Sequence, residues 1–337
     1  MGAAIGRRAL GAAVLALPAV RRARAAVETV SFGKQYGLPF LPHMVMESQG
    51  LVERAAAGAG YPGLRAEWRS MSGPGALNEA LLSGNMTFIN VALPALATLW
   101  ERTLNTPRQV KALCAVQSMP FELMTRNPAV RSIADLGQND RIAVPTVKIS
   151  AQALMLEMAA AKQWGFAEYG RLDPLTVSLG HPDALIAVLS GKSEVTTHFC
   201  VAPFMYYEKA AGMRSILNTY KMLGAPHSNG IQVTTEAFYN ANPTLCSAVR
   251  QAHDEANAFI KHDPAAAAEI YRTLSGDKRA PVAELVAMIA DPDIDYTTTP
   301  AGIMTMTRFM KDTGRMKVMP DQWEQMFLPT AHGLQGS

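Results

Sequence analysis

The chain has 337 residues, 49% of them hydrophobic and 18% charged, with a formal net charge of +3. Residues 1–25 carry five arginines and no acid, so the remainder sits near −2 (3 − 5). A nucleic-acid-binding surface is thereby excluded, and no later cluster of Lys and Arg with interleaved aromatics restores one.

Arg7 and Arg8 precede an apolar run from Ala9 to Val20, and Ala23-Arg24-Ala25 follows as a small-x-small cleavage pattern. The run is shorter than the roughly twenty apolar residues a bilayer demands, so it reads as a secretory signal. The Arg pair and the basic Arg21, Arg22 and Arg24 suggest twin-arginine export to the periplasm. No Cys follows the apolar run, so no lipid anchor is expected. The remaining 312 residues are too many for one comfortable core, and two lobes are expected. Cys114, Cys200 and Cys246 are an odd number without CxxC spacing and read as buried thiols, one disulfide being the alternative.

Strand-like and helical patterns then alternate. Val27–Phe32 predicts a strand, Leu41–Ala57 a helix interrupted near Gly50, Leu64–Trp68 a strand and Ala76–Leu82 a helix. Phe88–Val91, Val110–Val116 and Phe121–Thr125 predict strands, followed by strand Arg141–Pro145, helix Ala151–Lys162, strand Leu175–Ser178 and helix Asp183–Leu189. After a strand at Gly230–Thr234 the chain becomes helical, with Pro243, Pro264, Pro281 and Pro300 near helix starts. The alternation predicts α/β layering on parallel strands.

Ala80-Leu81-Leu82-Ser83-Gly84 recurs 107 residues later as Ala187-Val188-Leu189-Ser190-Gly191. Each copy ends a helix, follows a polar Pro-containing turn and precedes a strand-like run that meets Pro94 or Pro203. The shared neighbourhood predicts two similarly built lobes, with a ligand between them.

Several stretches, in order, resemble the nitrate/sulfonate/taurine-type periplasmic solute-binding proteins, a group that includes thiamine-pyrimidine-precursor binders. They are Gly33 to Pro39, Glu47 to Glu53, Ser72 to Gly84, Ser132 to Leu136 leading into Arg141 to Pro145, and His181 to Gly191. The sequence departs from that pattern at Asn85-Met86-Thr87, where the family commonly has an Asp; the second copy has Glu194 there. The resemblance implies a type II periplasmic binding protein fold, two α/β lobes joined by two crossover strands. Residues 26–126 and 229–337 would form lobe one and residues 127–228 lobe two, with crossings near Thr125–Pro128 and Ser228–Gln232. It also implies a monomer that hands a small organic anion (a sulfonate, a taurine-like solute or a carboxylate) to an ABC permease and ATPase, with no cofactor.

Ligands of open α/β sheets sit beyond the carboxyl ends of the strands, at helix N-termini whose unpaired N–H groups favour an anion. Ser72 and Ser150 are candidates as helix caps that also meet the ligand, Gly73 for close backbone approach, and Lys148 as a direct counter-charge. Gln35 and Tyr36 follow the first strand, and Tyr36 either closes over the ligand or packs. Asn90 and Gln117 are polar where a core residue would be apolar. His181 and His198 are candidate hydrogen-bonding groups or structural histidines, and Phe199 stacks on an organic tail or fills the core. No GxSxG, P-loop, HExxH or metal-ligand spacing points to catalysis. A related yeast group of pyrimidine-precursor synthases carries a Cys-rich stretch where this chain has only His198-Phe199-Cys200, so that chemistry is not expected. A periplasmic sensor module is the other alternative.

Overall fold

The computed structural model describes residues 1–2 and 27–337, so the expected export segment lies almost wholly outside the described residues. No helix among the described residues is long and apolar enough to cross a membrane.

Strand β1 (Thr29–Lys34) buries Val30 and Phe32, and leads through a tight turn to α1 (Leu41–Gln49) and α2 (Leu51–Gly58). Gly50 breaks the two helices with a left-handed backbone (φ 59°), a conformation that costs glycine nothing. Strand β2 (Arg65–Ser70), α3 (Pro74–Ser83), β3 (Phe88–Val91), α4 (Leu93–Thr103) and β4 (Val110–Ser118) follow. The chain then enters a second sheet with β5 (Glu122–Thr125) and continues through β6 (Ile142–Val144), α5 (Ala151–Trp164), β7 (Thr176–Ser178) and α6 (His181–Ser190). Strand β8 (Thr197–Cys200), α7 (Phe204–Ala210), β9 (Arg214–Asn218) and α8 (Thr219–Leu223) complete that half. It returns along β10 (Ser228–Thr235) to α9 (Glu236–Ala241), α10 (Pro243–His262), α11 (Pro264–Ser275), α12 (Val282–Ile289) and α13 (Ile303–Asp312). Helices α10 and α11 pack on α1, and α13 on α4, so the late helices cover lobe one.

The sheets run β2-β1-β3-β10-β4 and β7-β6-β8-β5-β9. Each has three parallel strands, then one antiparallel strand delivered from the other half, then a fifth strand antiparallel to that one. The parallel strands expected from the alternation are interrupted at β5 and β10, the two strands that arrive from across the molecule. The first crossing lies between Ser118 and Glu122, upstream of the place expected at Thr125–Pro128, because β5 already pairs with β8. The repeat is structural as well as sequential. Gly84 (φ 81°) and Gly191 (φ 67°) are left-handed caps, and Ser83 and Ser190 donate to Ala80 and Ala187 at 3.1 and 2.9 Å. Both repeat helices start two residues earlier than predicted, with Pro74 and Pro182 in their first turns, where the missing N–H has no intrahelical partner to lose.

The crossings are pinned side by side. Ser118 pairs with Ser228, the Phe121 amide donates to Thr219 Oγ1 at 2.9 Å, and that hydroxyl lies 2.8 Å from His227 Nε2.

Candidate functional site in the cleft between the lobes

A cleft of about 470 Å³ opens between the sheets. The space is that of a small solute. Lobe one contributes Gln35, Tyr36, Pro39, Phe40, Asn90 and Asn229, and lobe two contributes Ile149, Ser150, Gln152 and His181. Gln35 and Tyr36 lie just beyond β1, Asn90 and Asn229 near the ends of β3 and β10, and Ser150, Gln152 and His181 at helix starts, where parallel α/β sheets present their ligand sites. No lining residue carries a Lys, Arg, Asp or Glu side chain.

Of the residues proposed from sequence, Gln35, Tyr36, Asn90, Ser150 and His181 line this cleft. Ser150 caps α5, its Oγ accepting from the Ala153 amide at 3.3 Å, which leaves the Ala151 and Gln152 ends of that helix facing the cleft. Tyr36 is 39% exposed at the mouth, opposite Ile149 at 38%.

The others stand elsewhere. Ser72 is exposed and does not cap α3, whose N-cap is Gly73. Gly73 is a meeting point of the lobes, since a Cβ there would stand 2.7 Å from Thr146 Oγ1. Lys148 is exposed, has a left-handed backbone (φ 62°) and does not line the cleft, so it is no counter-charge there. Phe199 is fully buried against Phe121 at 6.2 Å, because strand alternation turns it away from the face that carries His198. Gln117 and His198 are fully buried, Gln117 donating to the carbonyl of the lining residue Pro39 and His198 joined to the lining residue His181.

In lobe two the network runs from Glu208 to the cleft. Cys200, its pKa raised by burial and then by Glu208, keeps its proton and donates to Glu208 Oε2 at 3.5 Å. His198 Nδ1 lies 2.5 Å from Glu208 Oε1, so Nδ1–H donates to the carboxylate. Gln152 Nε2 can only donate, so His181 Nε2 at 3.4 Å accepts from it, and His181 Nδ1–H donates to His198 Nε2 at 2.8 Å. Burial, then the neighbouring His198, hold the His181 pKa well below its ordinary value, so its ring is neutral. His198 Nδ1, Cys200 Sγ and a Glu208 oxygen lie within 4.8 Å of one another, a possible metal-donor group. The 2.5 Å His–Glu separation is a hydrogen-bond distance, well short of the roughly 3.3 Å that two ligands of a tetrahedral zinc keep. The cluster is satisfied by its own hydrogen bonds.

In lobe one, Gln232 Oε1 lies 2.7 Å from His43 Nε2 and 3.0 Å from His253 Nε2, and Asn90 Nδ2 lies 3.4 Å from His43 Nδ1. Asn90 Oδ1, Gln117 Oε1 and Asn229 Nδ2 have no protein partner. Gln152, Asn229, Glu208 and the His43–Gln232–His253 group were missed from sequence. Their roles depend on contacts such as His43 to Gln232, 189 positions apart, which no local pattern announces.

Two α/β lobes exchanging strands around a ligand-sized cleft define the periplasmic binding protein fold. The chain is similar to the alkanesulfonate-binding protein SsuA from Xanthomonas axonopodis pv. citri bound to MOPS, with a TM-score of 0.67, 16% identity, and 91% of this chain and 99% of that chain covered. It is similar to the periplasmic nitrate-binding protein NrtA from Synechocystis PCC 6803, with a TM-score of 0.66, 14% identity, and 89% and 84% covered. The aliphatic sulphonate-binding SsuA from Escherichia coli gives a TM-score of 0.62 at 16% identity, with 92% and 94% covered. No protein-family model and no curated protein matches the sequence.

Proposed function

We propose that this chain is the exported solute-binding component of an ABC importer, working in the periplasm as a monomer and closing its lobes over a small organic anion. The observation that carries this reading is the cleft itself, small and walled by both lobes. Having no charged side chain in its lining, it would hold an anionic head with backbone N–H groups and the partial positive charge at the start of α5, a 14-residue helix capped by Ser150. The similarity to sulfonate- and nitrate-binding proteins supports the same class of solute. A carboxylate or sulfonate of a few heavy atoms fits the available space. The buried His198–Cys200–Glu208 group is hydrogen-bonded internally and offers no open reactive position, which favours binding over catalysis.

The reading is tested by thermal-shift titration against a panel of small sulfonates, carboxylates and inorganic anions. A ligand at 100 times its Kd raises stability by about 2.7 kcal/mol, which is several degrees in Tm. No stabilisation by any anion at millimolar concentration would contradict it.

A further inference from the structure

The polarity of Asn90 at the cleft is fixed from the backbone outward. Gln232 Nε2 donates to the Ile89 carbonyl at 3.1 Å, so Gln232 Oε1 is the acceptor end of that amide. His43 Nε2 and His253 Nε2 both point at this oxygen, at 2.7 and 3.0 Å, so both rings carry a proton on Nε2. Both rings are fully buried, and burial keeps them neutral, His43 being lowered to about 3 and His253 well below its ordinary value. A neutral imidazole protonated on Nε2 has only a lone pair on Nδ1. His43 Nδ1 therefore accepts, and Asn90 turns its Nδ2 toward it at 3.4 Å. That leaves Asn90 Oδ1 as a fully buried acceptor without a protein partner, on a residue that lines the cleft.

Gln117 repeats the pattern. Its Nε2 donates to the Pro39 carbonyl at 3.3 Å, and its Oε1 is buried without a partner. The two amides flank Gly230, where a Cβ would stand 2.8 Å from Gln117 Nε2 and 3.0 Å from Asn90 Oδ1. Glycine keeps this space open. A buried acceptor without a donor is costly, and a site shaped around it discriminates strongly against solutes that bring none.

We propose that the solute bears an N–H or O–H donor received by Asn90 Oδ1, so that the cleft selects donor-bearing solutes over isosteres without the donor. The inference rests on the solute-binding reading and narrows it, with the anionic head at α5 and the donor group against the lobe-one wall. Asn90 is the specificity-determining contact, and His43 and Gln232 are positioning residues that turn its Nδ2 toward His43 and leave its oxygen for the solute.

The test is calorimetric titration of the full chain with matched probes: 2-aminoethanesulfonate and 2-hydroxyethanesulfonate against propane-1-sulfonate, and 3-aminopropanoate against butanoate. The readout is the ratio of affinities within a pair, which a merely structural role would leave unmoved. The wild-type ratio is expected to favour a donor-bearing member by about tenfold or more. It should fall below about threefold in Asn90→Leu, and likewise in His43→Phe, which keeps a ring but frees Asn90 to turn. The wild-type ratio stands by itself if a variant fails to fold. Equal or tighter binding of the donor-free members overturns the donor inference and leaves the solute-binding reading intact. Binding of none of the probes overturns the inference, and only silence of the wider anion panel as well counts against the solute-binding reading.

Discussion

The amide of Leu38 donates to the carbonyl of Ala202 at 2.9 Å, a backbone hydrogen bond from one lobe to the other. It is possible because Gly37, with φ at 101°, lets the chain approach the second lobe. A Cβ there would stand 2.9 Å from that carbonyl and 3.1 Å from the Phe204 ring. Gly37→Ala should therefore hold the lobes apart while each sheet stays intact. Small-angle scattering is expected to show a larger radius of gyration than wild type under the same conditions, with solute affinity down by about tenfold or more. An unchanged radius and affinity would show that the contact does not limit closure.

A second bridge between the lobes is ionic. Arg315, in the segment after α13, pairs with Glu157 on α5. Burial pushes the Glu157 pKa up to about 7, the arginine opposes that push, and Asp173 beside it is also raised by burial. Arg315→Met should leave both carboxyl groups buried without their cation and cost on the order of 3 kcal/mol in urea unfolding at pH 8. The loss should shrink toward pH 5, where the carboxyl groups take up protons. A loss that is the same at both pH values would contradict the pairing.

Four buried histidines make the fold acid-sensitive. Burial lowers His43 to about 3 and His227 to about 4, and holds His181 and His253 well below the ordinary value. The folded chain therefore binds fewer protons than the unfolded chain at any pH between those values and about 6.5. Their contribution is fully present above about 6.5 and lost as pH falls, at on the order of a kcal/mol per unit per histidine. Glu157 and Asp173, raised instead, act in the opposite sense over part of that range. The urea midpoint is expected to drop steeply between pH 6.5 and 5, and a flat profile would refute the account.

Glu208 sets the tautomers of the chain that ends at His181. Glu208→Gln can offer its amide N–H to His198 Nδ1, which reverses the proton order through His198 and His181. Nitrogen-15 spectra should show His181 protonated on Nδ1 in the wild type and on Nε2 in the variant. The same tautomer in both proteins would show that Glu208 does not order the chain.

The repeat of Ala80–Gly84 in Ala187–Gly191 was legible because a helix end needs local chemistry, a Ser donating back and a Gly that adopts positive φ. Strand Phe88–Val91 was legible because all four residues are buried, and its bounds match. Helix α4 was missed because Pro94 reads only as the residue that the strand-like run meets, whereas it stands in the first turn of Leu93–Thr103, where its missing N–H has no intrahelical partner to lose. The short, half-buried edge strand β9 was missed too. At the site, Asn90 and Ser150 stood out as polar residues next to strand or helix ends. The partners that orient Asn90 and His181 are fixed only by packing across distant segments, and Glu208 reads in sequence like any helical surface acid.

The exchange of β5 and β10 has a consequence for how the chain becomes a protein. Strand β10 separates β3 from β4, so the first sheet stays in two pieces until residues 228–235 have been synthesised. The second sheet needs nothing beyond Asn218. Assembly from the ribosome therefore runs middle first, with the amino-terminal third waiting for a strand encoded more than a hundred residues after β4. Until then the facing edges of β3 and β4 are open pairing surfaces, exposed to chaperones and to other copies of the chain.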